Sequence, residues 1–449
     1  MYRILTIILM FLASQLVFPQ KTLTLDSAIQ IALQRNPDLQ KSENNISTYK
    51  SGVLASYGNF LPSLSASGNF GWSRSKTQAR TINIGGSVLQ VPPSTSDSRS
   101  YTASVNTNLT IFDGLSDFAK LSQSKNNLEA ARLSLERMKQ DIVFQTVSLY
   151  YDVISARQLL KVNDEDVTWN KKNLETIEEQ NKLGSKTLAD LYTQQVQEGQ
   201  AELALVQAKN SLETAKGNLL YYLGLNVLDN YQFPDSLSEK DNEILNKSLD
   251  VQFDSLSELV SEALSNRTDY QSAQYSLESA YNGITIARSG HLPTLTGNGS
   301  LYAQSNKIND VFRSRTYSLG LSLNIPIFSG FSVSNQVQAA EVNAQNQQVD
   351  MDNLRRQIEQ NIQKNYLDLQ AAKTSLSVSE KTIKAAKENL AIQSEKYKLG
   401  SSRLLDVLQA SSNYSSAQSD YITAEYSFIA LSEQLKYLIG TLDYKKFEQ

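Results

Sequence analysis

The sequence predicts an α+β membrane protein that is internally duplicated, with a β-hairpin and a long coiled-coil helix in each repeat. Three observations predict this class: one pattern recurs over most of the 449 residues, apolar residues recur at every seventh position, and apolar and polar residues alternate in short stretches. The chain has no cysteine and a net charge of only −4. It therefore offers no thiolate metal site and no cysteine nucleophile, and its net charge does not suggest a surface for nucleic acid.

Residues 1–20 are predicted to be a secretory signal peptide. Arg3 supplies the positive charge that opens such a signal, and Ile4–Phe18 is largely apolar. A signal anchor is the alternative, although this apolar stretch is short for a membrane span, which needs about 20 residues. The protein is therefore expected to be exported. No later apolar run is long enough for a membrane helix, so a mature chain that crosses a membrane must do so with strands.

The duplication is visible at one short motif. "KLGSKTLADL" begins at Lys182 and "KLGSSRLLDV" begins at Lys398, an offset of 216 residues (398 − 182). The same offset relates "IFDGL" to "IFSGF", and the tyrosine and glycine of "YYLGL" to those of "KYLIG". Upstream, the "LP" at Leu61 corresponds to the "LP" at Leu292, an offset of 231. Since 231 − 216 = 15, the first repeat carries 15 extra residues between these motifs.

Alternating stretches predict one β-hairpin in each repeat, over about residues 62–112 and 293–327. In "YTASVNTNLTIF", which begins at Tyr101, a period of two places apolar and polar residues on opposite faces of a strand. Strands of about ten residues with one apolar face fit an outer-membrane β-barrel. A half-buried sheet of a soluble protein is the alternative. Ser73–Ser100, which holds the 15 extra residues, is expected to be an extracellular loop.

A long helix is predicted after each hairpin, over residues 115–183 and 331–399. Both segments lack proline, and apolar residues recur every seven positions, as at Leu121, Leu128 and Leu135. This spacing predicts left-handed coiled-coil packing, and at 1.5 Å per residue each helix reaches about 100 Å. A solvated coiled coil is the alternative for this segment alone. The first repeat is assigned to residues 21–225, with a helical segment at 25–60 and a return helix at 186–223. The second repeat is assigned to residues 254–440, with a helical segment at 256–290 and a return helix at 402–439. An inter-repeat segment, 226–253, lies between them, and a tail, 441–449, follows.

The predicted strands need partners from other chains. Four strands cannot close a barrel, because about eight is the practical minimum. Open strand edges are not tolerated in lipid. The barrel must therefore be shared: two chains give eight strands and three chains give twelve, and strand number alone leaves both open.

With these motifs together, the sequence resembles the TolC (outer-membrane efflux protein) family over roughly residues 23–440. The resemblance rests on the duplicated unit, on "FDGL" and "FSGF" before the long helices, on the "KLGS" turns, and on "YLGL" and "YLIG" at the repeat ends. It implies a homotrimer with a shared 12-strand outer-membrane β-barrel that continues into a periplasmic barrel of coiled-coil helices. Residues 226–253 and the tail would form its equatorial belt. It also implies a periplasmic adaptor protein and an inner-membrane pump as partners, for export of small molecules or type I protein secretion.

The resemblance also implies which residues close the periplasmic end. Asp406 matches a pore-facing aspartate, and the next ring position holds the neutral Gln409. Asp190 and Tyr397 match two residues of the family's latch, the interhelical links that hold the periplasmic end closed. The arginine position of this latch falls on Ser402, and Arg403 is the next residue. A plain charge at a helix N-terminus is the alternative for both aspartates, and packing is the alternative for the tyrosine. The turns expected to contact the adaptor are Leu183, Gly184 and Ser185 in the first repeat, and Leu399, Gly400 and Ser401 in the second.

Nothing in the sequence predicts an enzyme. His291 is the only histidine, so neither a histidine triad nor a histidine zinc site can be assembled. No cofactor or metal is expected. The alternative function is a structural or adhesive coiled-coil envelope protein without transport, which would have no need for hairpins with a lipid-type face.

Overall fold

The computed structural model describes residues 22–234 and 255–447. The predicted signal peptide, the inter-repeat residues 235–253 and the last two residues of the tail lie outside the described residues. The chain divides into two compact units. We call Met1–Asn44, Leu133–Gln271 and Asp352–Gln449 the helical unit, and Asn45–Arg132 and Ser272–Met351 the strand unit.

Among the described residues, each repeat contributes four α-helices, and corresponding helices have identical lengths of 11, 22, 67 and 35 residues. The first two pairs are offset by 231 residues and the last two by 216, as the sequence motifs are. In the described part of the chain, no helix is both long enough and apolar enough to cross a membrane. The helices are α1 Leu25–Arg35, α2 Pro37–Gly58, α3 Ser116–Lys182, α4 Leu188–Tyr222, α5 Leu256–Asn266, α6 Thr268–Ser289, α7 Ser332–Lys398 and α8 Leu404–Leu438.

A one-residue break separates the first two helices of each repeat. Asn36 and Arg267 occupy these breaks with extended backbone, at ψ 121° and 117°. In the first repeat, Pro37 suits the first position of α2 because that position needs no N–H donor. The Asn36 side-chain oxygen accepts hydrogen bonds from the backbone N–H of Asp38 (2.9 Å) and of Leu39 (3.2 Å). The break is therefore a cap, which divides the helical segment predicted over 25–60.

The strand unit contains a four-stranded antiparallel sheet in the order β1-β4-β5-β6. Its strands are β1 Ser63–Thr77, β4 Ser94–Phe112, β5 Thr294–Ser305 and β6 Arg315–Asn324, and an additional hairpin is formed by β2 Arg80–Ile84 and β3 Ser87–Val91. Large apolar side chains are exposed on one face of the sheet: Leu64, Phe70, Trp72, Leu319, Leu321 and Leu323. On the other face, the hydroxyl oxygens of Ser67 and Ser104 lie 2.8 Å apart. The predicted alternation of apolar and polar faces is thus present.

The expectation of a loop over Ser73–Ser100 was wrong for most of its length. β1 continues to Thr77 and β4 begins at Ser94, with Arg74 opposite Asp97. The two side chains form two hydrogen bonds of 2.7 and 2.8 Å. The intervening β2–β3 hairpin turns at Gly85 and Gly86, whose φ angles of 60° and 86° are those of the two-residue turns that match strand twist. The extra residues therefore extend a strand pair and add a hairpin.

The helical unit holds the main apolar core. Its members come from α1, α2, α3, α4, α8, the inter-repeat segment and the C-terminal tail, so both repeats contribute to it. Several occupy the seven-residue seam of α3, including Ile142, which is buried. Its members include Leu23, Leu39, Tyr150, Tyr151, Ile154, Leu219, Leu223, Phe233, Ile429 and Phe447.

A charged cluster lies against the C-terminal end of α8, also in the helical unit. Arg267 donates from Nε to Asp269 Oδ1 (3.0 Å) and from Nη2 to Asp269 Oδ2 (2.6 Å). Arg137 Nε lies 3.8 Å from the same carboxylate. The two guanidiniums also donate to backbone carbonyls at the helix end, Arg137 to Tyr437 (2.9 Å) and Arg267 to Leu438 (3.0 Å). Two buried arginines thus share one carboxylate and cap one helix end.

Candidate functional site

The candidate site is formed in the helical unit by two sharp turns, which join α3 to α4 and α7 to α8. Gly184 and Gly400 have φ angles of 75° and 76°. The N–H groups that follow them bond back five residues, Ser185 to Gln180 (2.9 Å) and Ser401 to Lys396 (2.8 Å). This pattern is the Schellman motif, in which a left-handed residue ends a helix. A Cβ at either glycine would meet no atom within 4 Å, so backbone conformation, and not packing, requires glycine there.

Asp190 and Asp406 both cap the helix that follows the turn. Asp190 Oδ2 accepts from the Thr187 N–H (3.1 Å) and from the Thr187 hydroxyl (2.8 Å). Asp406 Oδ2 accepts from the Arg403 N–H (3.1 Å) and from the Ser402 hydroxyl (3.3 Å). Both aspartates therefore have the helix-terminal role that was the alternative to a gating role, and the two roles do not exclude each other.

The carboxylate of Asp406 is held in its charged form. The hydrogen bond from the Arg403 backbone lowers the pKa of Asp406, and the Arg403 guanidinium, 3.5 Å away, lowers it further. Asp406 thus carries a full negative charge at neutral pH. Gln409, three residues on, donates from Nε2 to the side-chain oxygen of Asn413 (2.9 Å) and adds no charge.

Tyr397 lies beside the first turn, where it packs with the small apolar cluster behind both turns. Lys186 Nζ lies 4.0 Å from the centre of its ring, a cation–π contact. Its buried hydroxyl has no hydrogen-bond partner among the described residues. Within one chain, therefore, the predicted bond from Tyr397 to Asp190 is not made. The cluster consists of Ile177, Leu404 and Leu408, with Trp169, Leu191 and Tyr397 packed against it.

Sequence reasoning missed a buried polar group that joins α3 to α4 behind the first turn. Gln194 is fully buried. Its Nε2 donates to the side-chain oxygen (3.0 Å) and backbone oxygen (3.1 Å) of Asn170, and its Oε1 accepts from Asn173 (2.8 Å). The signal was present, because the seven-residue seam of α3 continues from Ala156 to Asn163 and Asn170. A polar residue at such a position fixes the register of a coiled coil.

Comparison with known proteins gives consistent matches along almost the whole chain. The family model described as "Outer membrane efflux protein" matches residues 28–225 and 259–441. The outer membrane efflux protein BepC of Brucella suis is 22% identical over 93% of this chain and 86% of its own. The proteases secretion protein PrtF of Dickeya chrysanthemi is 23% identical over 93% of this chain and 88% of its own.

Solved structures show the same fold. The CmeC outer membrane channel of Campylobacter jejuni superposes with a TM-score of 0.79 at 19% identity, covering 96% of this chain and 91% of that one. The MtrE outer membrane channel of Neisseria gonorrhoeae superposes with a TM-score of 0.76 at 19% identity, covering 95% and 90%.

Proposed function

The chain belongs to the outer membrane efflux protein family, and from that premise we propose that it is the passive exit duct of an export system. It acts as a homotrimer in the outer membrane of a Gram-negative cell, where three copies share one 12-strand barrel and a helical tunnel that extends into the periplasm. A periplasmic adaptor protein and an inner-membrane pump are its partners. It is not an enzyme.

The observation that carries this proposal is the four-stranded sheet with one apolar face. β1 and β6 are its outer strands, and a lipid-facing sheet needs both edges paired. Pairing between copies satisfies that need. A structural or adhesive envelope protein is not favoured, because BepC and PrtF, which match this chain over most of their length, are named for efflux and for secretion.

Two kinds of cargo are supported by the relatives. BepC is named as an efflux protein and PrtF as a protein for secretion of proteases. The duct therefore serves efflux of small molecules or type I secretion of proteins. Single-channel recording of the purified protein in a planar bilayer tests the duct itself. We expect discrete conductance steps, and a stable trimer that never conducts would contradict the proposal.

The Asp406 side chain is proposed to line the narrow periplasmic mouth, with Gln409 at the neighbouring ring position. Threefold symmetry turns one aspartate into three negative charges, which attract cations in a narrow passage. Hexamminecobalt(III) added on the periplasmic side should block the current. We expect Asp406→Asn to raise the half-blocking concentration by about tenfold or more, since it removes the attracting charge.

Asp190→Asn is the matched control for this measurement, because Asp190 is the first-repeat counterpart of Asp406 (406 − 216 = 190) and caps its helix in the same way. Both variants weaken a cap, and Asp190→Asn also removes a proposed latch residue. A change in block that comes only from helix fraying or from a looser mouth should therefore appear in Asp190→Asn as well. Equal block in wild type and Asp406→Asn would place Asp406 outside the mouth.

Asp190, Tyr397 and Arg403 are proposed to latch the closed mouth. The buried Tyr397 hydroxyl, which lacks a partner among residues 22–234 and 255–447 of the same chain, supports this role. The described hydrogen bonds to the Asp190 side chain all use Oδ2, which leaves Oδ1 as an acceptor. Arg403 is already paired with Asp406, so it supports the latch through that carboxylate.

Tyr397→Phe separates a latch from packing, since it keeps the ring and removes the hydroxyl. If the latch exists, we expect single-channel conductance to rise, because a bond worth about 0.5–1.5 kcal/mol per copy is lost from the closed state. The ring contact with Lys186 is retained and should keep the trimer as stable as the wild type. Conductance unchanged in Tyr397→Phe and in Asp190→Ala would leave only the packing interpretation.

A further inference from the structure

The charged residues of the four-stranded sheet all lie on its apolar face. Side chains two residues apart along a strand share a face, and so do directly opposite partners on neighbouring strands. By this rule, all charged residues of β1, β4, β5 and β6 share the face of Trp72 and Leu319. They are Arg74, Lys76, Asp97, Arg99 and Arg315. The opposite face of these four strands carries uncharged side chains only, most of them serine, threonine and asparagine.

In three of the strands, an arginine lies two residues beyond the outermost aromatic residue of the apolar face. The pairs are Trp72 and Arg74 on β1, Tyr101 and Arg99 on β4, and Tyr317 and Arg315 on β6. At about 3.4 Å per residue, each arginine therefore lies about 7 Å beyond an aromatic residue along its strand. Aromatic side chains of membrane barrels collect at the level of the lipid headgroups. The arginines are thus placed at that level or just outside it.

This row of positive charge marks only one end of the sheet. β1 begins after α2 and β4 ends before α3, so the helices join the end opposite to the arginines. The helical tunnel extends into the periplasm, and the arginines therefore lie at the outer surface of the outer membrane. The helix end of the apolar face is formed by uncharged residues, among them Leu64, Leu295 and Leu323.

Most of this positive charge is not neutralised by the protein. The Arg74 guanidinium donates two hydrogen bonds to Asp97, at 2.7 and 2.8 Å. The other three basic side chains are exposed and have no carboxylate partner among residues 22–234 and 255–447. We call these three residues the basic rim: Lys76, Arg99 and Arg315. A trimer carries nine such charges (3 × 3), all of them next to a lipid-facing surface.

We propose that the basic rim binds the phosphate groups of lipid A, the phosphorylated glycolipid of the outer leaflet. Positive side chains near a membrane surface attract anionic headgroups. The rim is also continuous with an apolar face on which acyl chains lie, and lipid A carries its phosphates directly above its acyl chains. This continuity selects a lipid over a free phosphate ion. The inference rests on the outer-membrane barrel of the proposed function and adds a lipid ligand at its outer end.

Native mass spectrometry of the purified trimer in a neutral detergent tests this assignment. Diphosphoryl lipid A is titrated in, and lipid-bound trimers are counted against free trimers. We expect saturable binding to the wild type. In the glutamine variant, Lys76→Gln/Arg99→Gln/Arg315→Gln, the apparent Kd should rise by at least about tenfold, because each basic residue near an anionic surface contributes roughly fivefold to the affinity.

A matched control removes three charges from another part of the surface. Lys50 on α2 and Lys381 and Lys384 on α7 are exposed and lie outside the sheet. Lys50→Gln/Lys381→Gln/Lys384→Gln should leave the apparent Kd for lipid A within about twofold of the wild type, because distant charges are screened by salt. A tenfold loss in this control as well would mean that net charge, and not the basic rim, attracts the lipid.

A variant that keeps the charges checks the strands themselves. Lys76→Arg/Arg99→Lys/Arg315→Lys retains three positive side chains and should bind lipid A within a few-fold of the wild type. That result, together with weak binding by the glutamine variant, would exclude damage to the sheet as the cause.

Two other ligands separate the lipid from its phosphate. Inorganic phosphate at millimolar concentration should not displace lipid A, because it lacks acyl chains. Complete displacement would mean that the rim is a site for the free ion. Phosphatidylcholine, whose headgroup has no net charge, should bind the wild type and the glutamine variant equally.

Single-channel recording on the same samples distinguishes a failure of this inference from a failure of the duct. Conducting trimers in which the wild type and the glutamine variant bind lipid A equally would overturn the basic rim and leave the duct standing. Samples without trimers or without conductance would overturn the duct and, with it, the barrel on which the rim depends.

Discussion

Replacing Asp269 with asparagine is expected to lower the free energy of unfolding by about 3 kcal/mol, one of the two largest effects anticipated for a single change. The carboxylate neutralises the buried guanidiniums of Arg137 and Arg267. Without it, two like charges remain side by side in a poorly solvated place, and removing one partner of a buried ion pair typically costs about 3–5 kcal/mol. The lower figure applies because the Asp269 side chain is 26% exposed. Urea unfolding of the purified protein, monitored by the far-UV circular dichroism signal of its helices, measures the change in unfolding free energy.

The duplication supplies the control for this prediction. Asp38 is the first-repeat counterpart of Asp269 (269 − 231 = 38), but its side chain is 75% exposed and pairs with Lys41 on the surface. Asp38→Asn should therefore change stability by less than about 1 kcal/mol. An equal loss of unfolding free energy in the two variants would mean that the buried Asp269 cluster stabilises the fold no more than the exposed Asp38 pair does.

The same carboxylate predicts a pH dependence. Burial raises the pKa of Asp269, but the hydrogen bonds and positive charges of Arg267 and Arg137 outweigh burial and hold the pKa below its usual value. A carboxylate whose folded pKa is lowered contributes stability above its unfolded pKa, about 3.9, and that contribution is lost as the pH falls through the folded value. Asp269→Asn should therefore lose less stability than the wild type between neutral and acid pH.

Gly400→Trp is expected to abolish export while trimers persist. The turns are proposed to receive the helical tip of the adaptor. Tryptophan at position 400 would have to adopt the left-handed backbone conformation of Gly400, and its bulky ring would occupy the contact surface. Left-handed backbone costs a residue other than glycine roughly 1–2 kcal/mol, which is too little to unfold the chain. Cells that carry only this variant should be as sensitive to the exported compounds as cells that lack the protein.

Gly400→Asn is the matched variant, because asparagine tolerates the left-handed conformation better than other side chains. It should preserve the Schellman turn and most of the export activity. Normal export by Gly400→Trp would argue that the turn between α7 and α8 does not contact the adaptor. Loss of trimers in that variant, seen on unheated gels, would mean instead that the turn is needed for assembly.

Local periodicity predicted the helices and the main strands well. Seven-residue spacing and glycine at the chain reversals require no knowledge of distant partners, and α3 and α7 begin and end within one residue of the predicted bounds. The β2–β3 hairpin was missed although its signal is local. "INIGGSVLQV" places a glycine pair between alternating apolar residues, which is the pattern of a two-residue hairpin turn. The extra residues were interpreted by length alone, and length does not distinguish a loop from a hairpin.

Contacts between distant segments could not be predicted in the same way. Arg137, Asp269 and Tyr437 are separated by more than a hundred residues each, and each is an ordinary surface residue type. Their meeting depends on the packing of three helices. The capping roles of Asp190 and Asp406, by contrast, depend on residues three positions away, which is why the helix-terminal interpretation was available from sequence.

The equal helix lengths limit how this protein can evolve. One residue inserted into α3 would rotate everything after it by about 100° and displace its turn by 1.5 Å relative to the turn after α7. A matching insertion in α7 would be needed at the same time, and two coordinated insertions are far rarer than one. The segment between β1 and β4 has no counterpart of fixed length, since it already differs from the second repeat by 15 residues (231 − 216). Among orthologues, we expect gaps and insertions to concentrate there and to be purged from the long helices.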